Sequence, residues 1–205
     1  MPLLQTKAAQ KSELRREFIQ ARSLMTDADS EYKSRALCAA VYKEIELKRP
    51  STVLAFAPTR REPDILPFCR ELIAKGVRVA FPISDAENIR LDFRYVNDIC
   101  ELVKGTYGIY EPHESCESAN TASESTVCLV PALAIDRHGM RLGYGKGYYD
   151  RFLASFCGLS IGIVFSDFLV EELPHGKYDI ATDMIITEGG VIVPDDDALT
   201  FQKKK

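Results

Sequence analysis

Apolar positions recur along this chain first at helical spacing and then in short runs. Leu14, Phe18, Ala21 and Met25 are three or four residues apart and predict a helix over residues 8–25. Lys11, Arg15, Arg16 and Arg22 fall on its polar sides, with Lys11 and Arg15 one turn apart. Thr26-Asp-Ala-Asp29 reads as a break and an N-cap. A second helix is expected from Asp29 to Leu47, with Ala36, Leu37, Ala40, Val41 and Ile45 as its apolar side, and Lys48-Arg-Pro50 ends it.

The period then changes. Residues 52–57 are β-branched and apolar and read as a strand; residues 58–63 form a loop. Asp64 is placed to cap a helix that runs to Lys75 and stops at Gly76. Residues 77–83 are the next strand. From Ile89 to Val96 apolar residues alternate with Arg90, Asp92 and Arg94, the pattern of a strand with one wet face in an antiparallel excursion. Residues 104–112 are turn-rich. Residues 114–126, rich in Ser, Glu and Ala, read as a mobile surface loop or a short helix. Buried strands are expected at 127–131 and 159–165, a helix at 147–155, a helical turn at 167–172, and short strands at 184–187 and 190–193. Strands alternating with helices predict a single α/β domain over 1–205, with a mainly parallel central sheet flanked by helices, an N-terminal helical segment (1–48) and a basic tail (199–205).

Composition adds limits. A hydrophobic fraction of 46% with 27% charged residues is that of an ordinary folded globular protein. A net charge of -4 argues against a nucleic-acid partner, which needs a clustered positive surface. No apolar run approaches the ~18 residues of a membrane span, and residues 1–10 have no apolar core of a secretory leader. Six scattered cysteines without a C-x-x-C pattern suggest neither a disulfide framework nor a zinc site. A cytoplasmic monomer is the expectation.

The stretch Arg141-Leu-Gly-Tyr-Gly-Lys-Gly-Tyr-Tyr-Asp150 carries the candidate chemistry. Glycines at 143, 145 and 147 let backbone approach an oxyanion, and a strand–glycine turn–helix sequence is a common phosphate cradle. The run matches neither the P-loop pattern nor the dinucleotide G-x-G-x-x-G fingerprint. A tight structural crossover is the alternative. Arg141 is free to bind phosphate or to pair with Asp136. His113, His138 and His175 show no pattern of catalytic partners.

Residues 131–136 (Pro-Ala-Leu-Ala-Ile-Asp), Gly139 and the 141–150 stretch closely resemble the 5-formyltetrahydrofolate cyclo-ligase family. Three further segments fit it in order: Lys11-x-x-Leu-Arg15, the loop around Glu62-Pro-Asp64, and residues 179–187 with Asp183. The chain departs from the family's habit at Ala132, at Ile135 and at Tyr144, where some members have arginine, leaving one cation fewer. The resemblance implies ATP- and Mg²⁺-dependent closure of 5-formyltetrahydrofolate to 5,10-methenyltetrahydrofolate. In that reaction the formyl oxygen attacks the γ-phosphoryl group, N10 attacks the activated carbon, and phosphate leaves. It further implies Lys146 and Arg141 as catalytic residues and Asp150 and Asp183 as metal-associated residues. ATP would be met by Lys11, Arg15, Arg141, Leu142, Gly143, Tyr144, Gly145, Lys146, Gly147, Tyr148 and Tyr149. The reduced folate would be met by Glu62, Tyr144, Gly145, Lys146, Gly147 and Tyr148. Alanine at Lys146 or Asp150 is expected to slow turnover and leave thermal unfolding similar. A non-catalytic folate- or nucleotide-binding module, and a sugar-phosphate enzyme needing no ATP, are the competing readings.

Overall fold

The computed structural model describes residues 6–194, so the basic tail lies outside the described residues. Four helices, α1 (Lys7–Ser23), α2 (Asp27–Lys48), α3 (Leu66–Ala74) and α4 (Tyr148–Leu153), accompany twelve strands. In chain order these are β1 (Thr52–Leu54), β2 (Arg78–Asp85), β3 (Arg90–Val96), β4 (Val103–Lys104), β5 (Tyr110–Glu111), β6 (Thr126–Pro131), β7 (Ala134–Asp136), β8 (Arg141–Leu142), β9 (Leu159–Ile163), β10 (Leu169–Val170), β11 (Met184–Thr187) and β12 (Gly190–Ile192).

The central sheet has the order β12-β11-β9-β6-β1-β2-β3. Its five inner strands are parallel, and β12 and β3 add antiparallel edges. Parallel strands covered on both faces need apolar residues at every position, and β6, β9 and β11 are buried nearly throughout. Alternate residues feed two cores. Val53, Val79, Phe81, Val127 and Leu129 pack with Leu37, Val41 and Ile45 of α2 and Phe68 and Leu72 of α3. Leu54, Ala80, Cys128 and Val130 pack on the opposite face with Phe93, Tyr95 and Leu153. The Phe152 ring lies 4.8 Å from that of Phe93 and 5.2 Å from that of Phe156.

Several sequence expectations shift. In α1 the buried position is Arg22, whereas Ala21 is exposed. Helix α4 is six residues long, and its end tightens through Phe156 N–H to the Leu153 carbonyl. Gly158 then lies so close to the Thr126 carbonyl that a Cβ would stand 2.1 Å from it. Residues 114–126 are a loop, not a helix, and part of it is fastened to the sheet edge. Tyr95 N–H donates to the Glu117 carbonyl and Ala119 N–H to the Phe93 carbonyl, both at 2.8 Å, satisfying groups an edge strand leaves open. The helical turn at 167–172 is a 3₁₀ turn (Ser166–Phe168) followed by β10. The small sheet β10-β7-β8 was not legible as periodicity, because its strands have only two or three residues each.

The strand order reverses at β1. The chain goes from β1 to β2 on one side, then returns to β6 on the other and continues outward to β9 and β11. Segments leaving the carboxyl ends of β1 and β6 therefore part, and such a divergence opens a crevice in a parallel sheet.

Candidate functional site

A cavity of about 900 Å³ occupies that crevice. The segment after β1 supplies Phe56, Ala57, Thr59, Arg60 and Glu62; the segment after β8 supplies 143–151; α1 supplies Lys11, Arg15 and Ile19 across the opening. Lys11, Arg15, Glu62 and every residue from Arg141 to Asp150 thus line one space, although they are spread along the chain.

The glycine run turns on two residues with positive φ, Gly145 at 95° and Gly147 at 75°. A side chain at 145 would meet both a strained backbone and a neighbour, since its Cβ would stand 3.1 Å from the Arg15 guanidinium carbon. Arg15 Nε donates to the Gly143 carbonyl at 2.8 Å, so α1 and the glycine loop are joined at the site. Lys146 is exposed on the loop, with its ammonium 5.9 Å from the centroid of the Tyr107 ring.

Arg141 is buried and donates from Nη1 to Asp150 Oδ1 at 2.9 Å. Burial lowers the pKa of its guanidinium, and the Asp150 charge opposes that. Among the described residues its Nε and Nη2 have no hydrogen-bond partner. The alternative pairing with Asp136 is not formed: Asp136 is buried and accepts from the His138, Met140 and Leu173 N–H groups, fixing the β7–β8 turn. Asp150 Oδ1 also accepts from Ile180 N–H at 3.2 Å. Lys11 is paired with Asp179. Burial works to raise the Asp179 pKa, but the Lys11 ammonium and the Gly176 N–H prevail and hold it below the ordinary carboxylate value.

Glu62 also lines the cavity and is only 5% exposed. Its Oε2 accepts from Thr59 N–H at 3.0 Å. Burial pushes its pKa up to about 7, against the charges of Arg22 and Arg60 and the Thr59 N–H. The preceding residues Arg60 and Arg61 both have positive φ, 47° and 59°, in a turn that returns Glu62 toward the sheet. The Arg60 guanidinium lies 5.0 Å from the centroid of the Tyr144 ring. Tyr144 Oη is within electrostatic reach of Glu62 but makes no hydrogen bond of ordinary geometry.

Both candidate tyrosines of α4 line the cavity. Tyr148 Oη is 3.2 Å from Tyr107 Oη, whereas Tyr149 Oη is buried and has no hydrogen-bond partner among the described residues. Asp183 does not line the cavity. Its Oδ2 accepts from Ser160 N–H at 2.9 Å and Ser160 Oγ–H at 2.7 Å, holding the start of β11 against β9. Among the described residues no group of three or more His, Cys, Asp and Glu side chains is placed to hold a metal ion.

Sequence reasoning missed Arg22, Tyr107, Glu111 and Asp179. Arg22 carried a signal, because it lies four residues after Phe18 and seven after Arg15, on the same helix face. Tyr107 and Glu111 come from a turn-rich segment with no periodicity.

Comparison with known proteins completes the picture. The 5-formyltetrahydrofolate cyclo-ligase family model matches residues 7–188. The 5-formyltetrahydrofolate cyclo-ligase of Mycolicibacterium smegmatis is 34% identical over 182 residues, covering 86% of this chain and 93% of that protein. That of Escherichia coli K12 is 31% identical over 144 residues, covering 68% of this chain and 79% of that protein. The NMR structure of Aquifex aeolicus 5,10-methenyltetrahydrofolate synthetase superposes with a TM-score of 0.78 at 31% identity, over 89% of this chain and 92% of that one.

Proposed function

Because this chain belongs to the 5-formyltetrahydrofolate cyclo-ligase family, we propose that it closes 5-formyltetrahydrofolate to 5,10-methenyltetrahydrofolate with ATP, releasing ADP and phosphate. The observation that carries the reading is the convergence of Lys11, Arg15, Arg141 and Lys146 on one cavity that is also lined by the buried Glu62. The cations suit a polyphosphate. The buried carboxylate suits a ring presenting N–H donors.

The formyl oxygen attacks the γ-phosphorus, its bond to the β–γ bridging oxygen breaks, and ADP departs. N10 then adds to the activated formyl carbon, losing its proton, and the C–O bond to phosphate breaks as the five-membered ring becomes the methenyl cation. Such transfer asks chiefly for positioning and charge neutralisation, and the protein need supply no nucleophile. Lys146, exposed on a loop fixed by two left-handed glycines, is free to follow the transferring phosphoryl group. Arg141 is held by Asp150, with two nitrogens left to donate. Arg15 braces the loop through the Gly143 carbonyl, and Glu62 orients the folate ring.

The donor set fits Mg²⁺, which commonly takes one or two carboxylates together with phosphate oxygens and water. Asp150, whose Oδ1 serves Arg141 and Ile180, would be its carboxylate, and the ion would neutralise phosphate charge there.

Mixing the protein with ATP, Mg²⁺ and 5-formyltetrahydrofolate should produce the methenyl absorbance together with ADP. Folded protein that gives neither would overturn this reading; ligand binding without ADP would favour a non-catalytic module.

A further inference from the structure

Tyr107 stands in the turn between β4 and β5, and it lines the cavity although it is 56% exposed. The turn is closed by its own backbone: Gly105 N–H donates to the Ile109 carbonyl at 2.8 Å and Gly108 N–H to the Gly105 carbonyl at 3.1 Å. Glu111 Oε1 accepts from Ser84 N–H at 3.1 Å, which fastens this hairpin to β2. Within the turn Tyr107 has φ 60° and ψ 13°, the left-handed region, where a bulky side chain is uncommon and costs conformational energy. Glycine would take the same conformation without strain. Burial does not account for the tyrosine, because most of its surface meets water.

What the strained residue gains is contact with the glycine loop and its helix. Tyr107 Oη is 3.2 Å from Tyr148 Oη, and the two rings meet edge to face with centroids 6.5 Å apart. The Lys146 ammonium lies 5.9 Å from the centroid of the Tyr107 ring, within reach of a cation–π attraction. Lys11 and Arg141 are each paired with a carboxylate, Asp179 and Asp150. Among the described residues Lys146 has no such partner, and the aromatic face it meets is that of Tyr107. Arg151 Nη1 donates to the Lys146 carbonyl at 3.3 Å, and Gly145 and Gly147 set the turn on either side. The backbone at 146 is therefore fixed, and its long side chain is what remains to be placed. A carboxylate would place it and cancel its charge. An aromatic face places it and leaves the charge whole.

We infer that Tyr107 is a positioning residue for Lys146: its ring holds the ammonium at the cavity without neutralising it, and its contact with Tyr148 fixes the ring. The inference rests on the cyclo-ligase reading for the phosphoryl group that Lys146 would meet. A cation already in place costs no reorganisation when charge develops on that group, which is how a preorganised site gains rate. Tyr107 acts through Lys146 and needs no contact with a reacting atom.

The test uses the full chain and measures turnover and unfolding together. Tyr107→Leu should lower kcat at saturating ATP and folate by roughly two- to fivefold, the worth of an exposed cation–π contact. Tyr107→Phe keeps the ring and loses only the hydroxyl contact, so it should recover part of that loss. In a Lys146→Ala background, Tyr107→Leu should cost nothing further. An equal loss in both backgrounds, or full turnover in Tyr107→Leu, overturns the inference. Tyr107→Gly removes the ring together with the backbone strain, so turnover should fall while Tm holds or rises. A fall in both would make Tyr107 a structural residue and refute the positioning role. An independent readout is the ε-methylene proton signal of Lys146 in ¹³C-lysine-labelled protein, identified by its loss in Lys146→Ala. The Tyr107 ring current should displace that signal, and it should move in Tyr107→Leu; no movement refutes the contact. Absence of turnover in the unsubstituted protein would sink the cyclo-ligase reading instead, and the lysine signal would still decide the contact.

Discussion

Arg141 Nη1 lies 2.9 Å from Asp150 Oδ1, and the same oxygen accepts from Ile180 N–H. Asp150 therefore ties the strand before the glycine loop, the helix after it and the segment leading to β11 into one unit. Arg141 is the more buried partner, with its side chain 4% exposed against 24% for Asp150.

Asp150→Ala should consequently affect more than turnover. Removing one partner strands a buried cation, a loss of about 3–5 kcal/mol when both are fully buried. With Asp150 partly wet, roughly 1–3 kcal/mol is expected, a fall in Tm of several degrees for a chain of this length. This departs from the sequence-based expectation that unfolding would be little changed. Calorimetry of Asp150→Ala beside Asp150→Asn checks it; an unaltered Tm in the alanine variant would show the pair to be energetically idle.

Lys146→Ala should behave differently. The side chain is exposed, so Tm should stay within a degree or two of the parent. Turnover should fall by roughly 10²-fold or more if Lys146 meets charge that develops on the phosphoryl group. Near-normal kcat in a saturating-ATP assay would remove Lys146 from the mechanism.

Gly145→Ala should damage the loop without removing any charge. Its φ of 95° is unfavourable for any side chain, and the new Cβ would stand 3.1 Å from the Arg15 guanidinium carbon. A cost of about 1–2 kcal/mol is expected. The KM for ATP should rise more than that for folate, because Arg15 and the Gly143 carbonyl are the contacts displaced. Equal changes in both constants would speak against a local effect.

Glu62 should leave a signature in the dependence of stability on pH. Its folded pKa of about 7 lies above its ordinary 4.5, so between these values the native state binds more protons than the unfolded chain. Stability should therefore fall as pH rises through that window, by roughly 3 kcal/mol at most. Glu62→Gln should lack this decline. Urea titrations of both proteins at intervals across the window measure it, and parallel profiles would show that Glu62 titrates normally.

The sequence by itself determined the elements long enough to show a period. Residues Leu37, Val41 and Ile45 share the apolar side of one helix, and the short runs at 127–131 and 159–165 read as buried strands. It also held the chemistry of the 141–150 run, because alternating glycines around a lysine are local information. Tertiary structure decided what no period encodes. Strand order set the crevice at the point where β1 and β6 part. Packing turned Arg22 inward while Ala21 stayed in water, because the Ala132 and Leu133 carbonyls that accept from the guanidinium reach it only on folding. Asp150 and Asp183 look alike as isolated carboxylates; one faces the cavity and the other faces Ser160, since a carboxylate's role is fixed by the donors the fold brings to it.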